Sequence, residues 1–186
     1  MRALTYYVAT SLDGFIADAS GGWDGFLSEG DHLGHFFESF AWFDTVLMGR
    51  LTYEAGLNLG VTSPYPMLKQ YVFSRTMVDA PDPAVICVRD DAIERVRRLK
   101  SEPGKGIWLC GGAVLARALW DADLVDALVL KLHPTLLGRG VPLFGGDGVV
   151  RHGLKLTRSE RFESGVIRLH YSVPRDQASN PPVLDR

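Results

Sequence analysis

Two cysteines are all that this chain of 186 residues carries. Cys87 and Cys110 each sit in an apolar run, so they read as buried thiols. Two thiols in such places supply neither a disulfide framework nor a metal motif, and point to a reducing compartment. No run of about 18 apolar residues exists to span a bilayer. The N-terminal stretch MRALTYY lacks a signal-peptide pattern, so a cytoplasmic location is expected. Blocks of like charge are missing, and the net charge is only −2, so no nucleic-acid or membrane partner is implied. Internal repeats and low-complexity segments are absent too. What remains is an ordinary globular composition, 46% apolar and 23% charged, with enough chain for one core that needs no staples.

Hydrophobic patterning divides the chain into alternating strands and helices. Residues 3–10 read as a buried strand, followed by Ser11-Leu12-Asp13-Gly14-Phe15-Ile16-Ala17-Asp18, a turn with apolar teeth. Such a loop suits a ligand cover, or a hairpin turn with its hydrophobic residues folded beneath it. Asp31 can cap a helix over about residues 32–42, with Leu33, Phe36, Phe37 and Phe40 at helical spacing. Short strands follow at 45–48, 70–73, 84–88 and 107–110, with helices after Gly49, after Asp90 or Asp91, and from about 112 to 120. A strand at 126–132 leads to a loop at 138–142. Segments 153–163 and 166–174 read as an antiparallel hairpin bent at Ser164-Gly165. The domain is expected over residues 1–175, with a disordered polar tail at 176–186. The pattern predicts an α/β fold with a mainly parallel sheet, an antiparallel C-terminal hairpin and helices on both faces.

Chemistry in such folds gathers at the carboxyl ends of the parallel strands. Three ends carry donors suited to phosphate: Gly49-Arg50-Leu51-Thr52, Ser74-Arg75-Thr76, and Gly111-Gly112 opening onto Ala113-Val114-Leu115. Free amides at a helix start and arginine forks both bind anions. Each motif alone also fits a plain loop; three together favour a nucleotide. The Rossmann and Walker fingerprints are absent. The basic, hydroxyl-rich Ser74-Arg75-Thr76 suits a 2′-phosphate, and so NADPH over NADH. Asp13 is the candidate proton donor and substrate anchor, although an aspartate before glycine also commonly binds its own backbone. Phe36 and Tyr53 are candidate substrate contacts or core residues, and His133 reads as a structural histidine.

These motifs carry a resemblance. Gly49-Arg50-Leu51-Thr52-Tyr53-Glu54 resembles the G-R-x-T-(Y/W)-E motif of dihydrofolate reductases. The Ser11–Ala17 loop resembles a segment of the riboflavin-pathway reductases that share the fold. So does the stretch from Gly111-Gly112-Ala113 through Asp123-Leu124-Val125-Asp126 to Pro134-Thr135-Leu136-Leu137-Gly138-Arg139-Gly140, which is similar to the C-terminal reductase domain of bifunctional deaminase-reductases. The resemblance covers residues 2 to about 174. It implies a dihydrofolate reductase-like three-layer fold, NADPH at the strand ends, and hydride transfer to a small pterin- or pyrimidine-like substrate. It further implies that Ala9 and Ile16 flank the nicotinamide. Gly49, Arg50 and Thr52 would meet the phosphates, Ser74, Arg75 and Thr76 the adenosine phosphate, and Gly111 to Leu115 the pyrophosphate and nicotinamide side. A homodimer is implied, and no metal. The chain departs from its relatives twice. Near Leu33 it lacks the carboxylate that holds a pteridine, and Cys110 stands where pathway reductases tend to carry an acid before the paired glycines. Two alternatives therefore stand beside the reductase reading: a nucleotide-binding module without turnover, and a stand-alone riboflavin-pathway reductase.

Overall fold

In the computed structural model, residues 1–146, 148 and 153–174 are described. The chain runs β1 (Leu4–Thr10), β2 (Phe15–Asp18), α1 (His32–Glu38), a 3-10 turn (Ser39–Trp42), β3 (Phe43–Gly49), α2 (Arg50–Leu57), β4 (Lys69–Phe73) and β5 (Val85–Val88). It continues through α3 (Ala92–Ser101), β6 (Gly106–Gly111), α4 (Ala113–Asp121), β7 (Ala127–Leu132), β8 (Gly140–Pro142), β9 (Lys155–Arg161) and β10 (Ile167–Ser172). The main sheet has the order β5-β4-β3-β6-β1-β7-β10-β9. Its first six strands are parallel, and β10 and β9 close it antiparallel. The expected α/β architecture with its C-terminal hairpin is what the chain adopts.

Strand alternation builds two cores, one on each face of the sheet. Leu4, Tyr6 and Val8 of β1 face the layer formed by α3 and α4, where they meet Val96, Leu99, Leu119 and Trp120. Tyr7 points the other way, to a layer with Phe36, Phe40, Tyr53 and Trp108. A period of two places successive residues on opposite faces, and burial on both faces explains the near-continuous apolar runs. Among the described residues, no helix is long and apolar enough to cross a membrane.

Three local expectations need correction. The helix expected over 32–42 ends at Glu38 and tightens into the 3-10 turn, where the Ser39 hydroxyl donates to the Phe36 carbonyl at 2.5 Å. One consequence is that Phe37 of the apolar stripe stays 61% exposed. The loop expected at 138–142 contains β8, which pairs with β2 in a second small sheet. Gly140 makes that pairing possible, since a Cβ there would lie 2.1 Å from the Ala17 carbonyl oxygen. Cys87 is only half-buried, because β5 is an edge strand. The tail expected at 176–186 lies outside the described residues.

Candidate active site

The decisive geometry is where two neighbouring strands part company. β3 and β6 lie side by side, yet α2 leaves β3 for one face of the sheet and α4 leaves β6 for the other. Such a divergence opens a crevice at the carboxyl ends of the strands, the place where open α/β sheets bind ligands. Gly49 and Gly112 form its lip. Gly112 has φ +102°, and a Cβ on it would fall 2.9 Å from the Gly49 Cα. Glycine is therefore required twice, by conformation and by contact.

Both helices begin without a side-chain cap and without an acidic residue in the first turn. Their leading amides therefore keep donor capacity, and two positive dipole ends meet at one crevice. Thr52 packs over Gly111, whose added Cβ would stand 3.2 Å from the threonine hydroxyl oxygen. The Gly145 amide donates to the Ala113 carbonyl at 2.9 Å, which brings the chain after β8 against the first turn of α4. Leu51 and Val114, in the first turns of the two helices, are 68% and 79% exposed. Arg50 sits at the head of α2 and pairs with Glu54 at 2.7 Å. One strand further out, β4 delivers Ser74, Arg75 and Thr76 to the same edge. The Ser74 hydroxyl there accepts from the amides of Thr76 and Met77, which fixes the turn and leaves the Arg75 side chain in solvent.

On the other side of the crevice, β6, β1 and β7 leave an opening in the α1–α2 layer. Ala9, Cys110 and Lys131 point to that face and remain partly exposed, although they lie in three central strands. Phe36 forms a wall, in contact with Tyr7, Phe40 and Trp108. Lys131 Nζ stands 3.7 Å from the Phe36 ring centroid. Tyr65 and Cys110 face each other at 3.3 Å, and burial pushes the Cys110 thiol up to about 11. That thiol is neutral and acts as a small apolar group. Burial, joined by the charge of Arg168, draws the Lys131 ammonium down to about 8.

Asp13 does not stand in this opening as an acid. Its carboxylate accepts from the Ser11 hydroxyl at 2.6 Å and from the amides of Leu137 and Gly138 at 3.1 and 2.6 Å. These bonds, the Ser11 hydroxyl first, hold its pKa below the ordinary carboxylate value. An ionised acceptor clasping two loops is a poor proton donor. Tyr53 is also removed from the substrate side: it is fully buried and donates to the Thr62 carbonyl at 2.6 Å. Asp31 caps α1 and accepts from the amides of Glu163 and Ser164, so it is structural. Ile16 packs at the margin of the α3–α4 core. His133 is buried with its Nδ1 accepting from the Leu27 amide, consistent with the structural reading. An open groove of about 510 Å³ lies at the opposite, amino-terminal ends of β1 and β6, remote from the crevice.

Lys131 and Tyr65 lie beside the crevice, a placement that the sequence motifs do not reveal. Tyr65 lies in the stretch 56–68, rich in Gly, Pro and Ser, which reads as a loop. Lys131 has a signal: in Ala127–Leu132 it occupies an inward position shared with Val129.

The RibD C-terminal domain model matches residues 2–168. The chain belongs to that family. It is 34% identical over 181 residues to the uncharacterized protein YyaP of Bacillus subtilis, covering 91% of this chain and 94% of the relative. A candidate riboflavin biosynthesis protein from Shewanella sp. PV-4 superposes with a TM-score of 0.80 at 28% identity, over 93% of this chain and 99% of that one. A diaminohydroxyphosphoribosylaminopyrimidine deaminase/5-amino-6-(5-phosphoribosylamino)uracil reductase from Thermotoga maritima shares the fold. Its TM-score is 0.65 at 17% identity, over 93% of this chain and 57% of that one. In this RibD C-terminal domain, Cys110 stands directly before Gly111-Gly112.

Proposed function

We propose that the protein is an NADPH-dependent reductase of a small planar heterocycle. The observation that carries this reading is the divergence at Gly49 and Gly112, where two helices that start without side-chain caps leave neighbouring strand ends for opposite faces of the sheet. The residues fit the cofactor's anionic parts. The amides of residues 50–52 and 113–115 would hold the pyrophosphate, and no carboxylate caps those amides. Ser74, Arg75 and Thr76 would hold the 2′-phosphate, with the exposed guanidinium providing the fork. The nicotinamide supplies hydride when bound. The chain's part is to hold it over the small Ala9 side chain and to present the acceptor from the Phe36 side. Membership of the RibD C-terminal family supports the same reaction class. As in the relatives implied by sequence, we expect a homodimer, which sedimentation would register.

Because Asp13 is committed to its loops, a second reading has an observation in its favour: a module that binds the nucleotide without turning over. One experiment separates them. Purified protein is mixed with NADPH and a panel of pterins, pyrimidines and quinones, and absorbance of the reduced cofactor is followed. Oxidation with at least one acceptor class supports the reductase. Binding without oxidation across the panel supports the module, and absence of NADPH binding overturns both. Complementation of a strain lacking the riboflavin-pathway reductase tests the narrower assignment to that step.

A further inference from the structure

Among the described residues, one cation reaches the opening beside the crevice without a hydrogen bond or ion pair to any of them. That cation is Lys131. Its Nζ rests against ring faces instead, 3.7 Å from the centroid of Phe36 and 5.9 Å from that of Tyr7. The other ionisable groups packed around it are the Cys110 thiol on β6, Tyr7 on β1, Arg168 on β10 and His133 just beyond the end of β7. None offers a compensating negative charge: the thiol is neutral, Tyr7 is held protonated by burial, and Arg168 is engaged by Glu160 at 2.6 Å. Lys100 contrasts with it, being fully buried and bonded to the Leu124 carbonyl and the Asp126 carboxylate. Lys131 is half-buried, so its ammonium gives up part of its hydration to ring faces without gaining an anionic partner.

We propose that Lys131 is a specificity-determining residue that holds an oxygen of the acceptor on which negative charge develops. The acceptor is thereby assigned to the planar conjugated carbonyl compounds, whose carbonyl oxygen gains charge when hydride reaches the conjugated carbon. This inference rests on the reductase reading above. Hydride taken from a reduced nicotinamide forms a new C–H bond at the β-carbon of such an acceptor. The displaced C=C pair moves through the conjugated system and comes to rest on the carbonyl oxygen as an enolate. The enolate then takes a proton from solvent. An ammonium aimed at that oxygen binds the enolate better than the carbonyl, which is the condition for lowering the barrier. Its low proton affinity fits the same place, for an ammonium near its pKa is present at neutral pH and is lost on mild alkalinisation.

The test uses the NADP⁺-loaded protein and two probes: the barbiturate anion, a planar enolate, and uracil, its neutral counterpart. Binding is followed by calorimetry or by tryptophan fluorescence, Trp108 being part of the aromatic wall. Wild type should prefer barbiturate by at least about tenfold at pH 7, the worth of one charge-assisted hydrogen bond. That preference should decline between pH 7 and 9, and Lys131→Met should abolish it. Methionine fills nearly the same volume without the charge, so the thermal midpoint of the variant should be no lower than that of wild type. Equal binding of the two probes by wild type, or a preference unchanged in Lys131→Met, overturns the inference. Should the variant misfold, the pH series of the wild type decides alone, since a preference undiminished at pH 9 overturns the inference as well. Failure of NADP⁺ to bind at all is a separate outcome, read before either probe is added, and it removes the reductase reading and the inference with it.

Discussion

Gly112→Ala is the sharpest perturbation of the crevice. At φ +102° and ψ 91° the backbone lies outside the regions open to an L-residue. Holding alanine there costs about 1–3 kcal/mol. The new methyl would also sit 2.9 Å from the Gly49 Cα and 3.1 Å from its nitrogen. Both contacts are backbone, which cannot rotate aside, and overpacking of that kind adds about 1–3 kcal/mol. The sum, about 2–6 kcal/mol, is a large part of the roughly 5–15 kcal/mol typical of a folded domain. Urea unfolding measures it, and NADPH affinity should fall as β3 and β6 are pushed apart. Gly111→Ala is the control. Its methyl would meet the Thr52 side chain at 3.2–3.3 Å, without a positive φ, and a side chain can give way. Gly112→Ala must therefore cost clearly more than Gly111→Ala. Equal costs, or a Gly112→Ala loss below about 1 kcal/mol, would refute the claim that the lip demands glycine.

Three further outcomes follow from the site. Arg75→Ala should weaken NADPH by about 2 kcal/mol while leaving NADH nearly untouched, since only NADPH carries the 2′-phosphate; equal losses in a binding titration would move Arg75 out of that role. Asp13→Asn should retain turnover within about tenfold, because the carboxylate serves loops rather than proton transfer; a loss of more than about a hundredfold in steady-state rate would restore it as a catalytic acid. His133, its pKa drawn down by burial to about 4, stays neutral in the folded chain at pH values where the unfolded chain takes up a proton. Stability should therefore fall as pH drops from about 6.5 towards 4, and His133→Gln should flatten that slope in urea melts; an unchanged slope would remove His133 as its source.

The parts of the site legible in sequence are those whose chemistry is local. A strand that stops at glycine and passes into a helix needs only neighbouring residues to be recognised, and Gly49-Arg50, Ser74-Arg75-Thr76 and Gly111-Gly112 all end on one edge. What is not legible depends on partners far along the chain. Asp13 reads as available because the amides it accepts belong to residues 124 and 125 positions away. β8 is hidden because its glycine and proline are loop signals, and only the approach of Ala17 turns them into a strand. Tyr53 shares a short helix with Arg50, and only the packing shows that Tyr53 is sealed in the core while Arg50 lies along the helix surface paired with Glu54. Lys131 shows the reverse failing. Period-two alternation places it on the inward side of β7, yet a lysine amid apolar residues reads as one more strand position rather than as a charge set against the Phe36 ring.

The claim at the centre is that the crevice between Gly49 and Gly112 holds NADPH. Calorimetric titration of the wild-type protein with NADPH and with NADH tests it most directly. One NADPH per chain is expected, bound at least about tenfold more tightly than NADH through the 2′-phosphate. No binding of either nucleotide, or equal affinity for both, would contradict it.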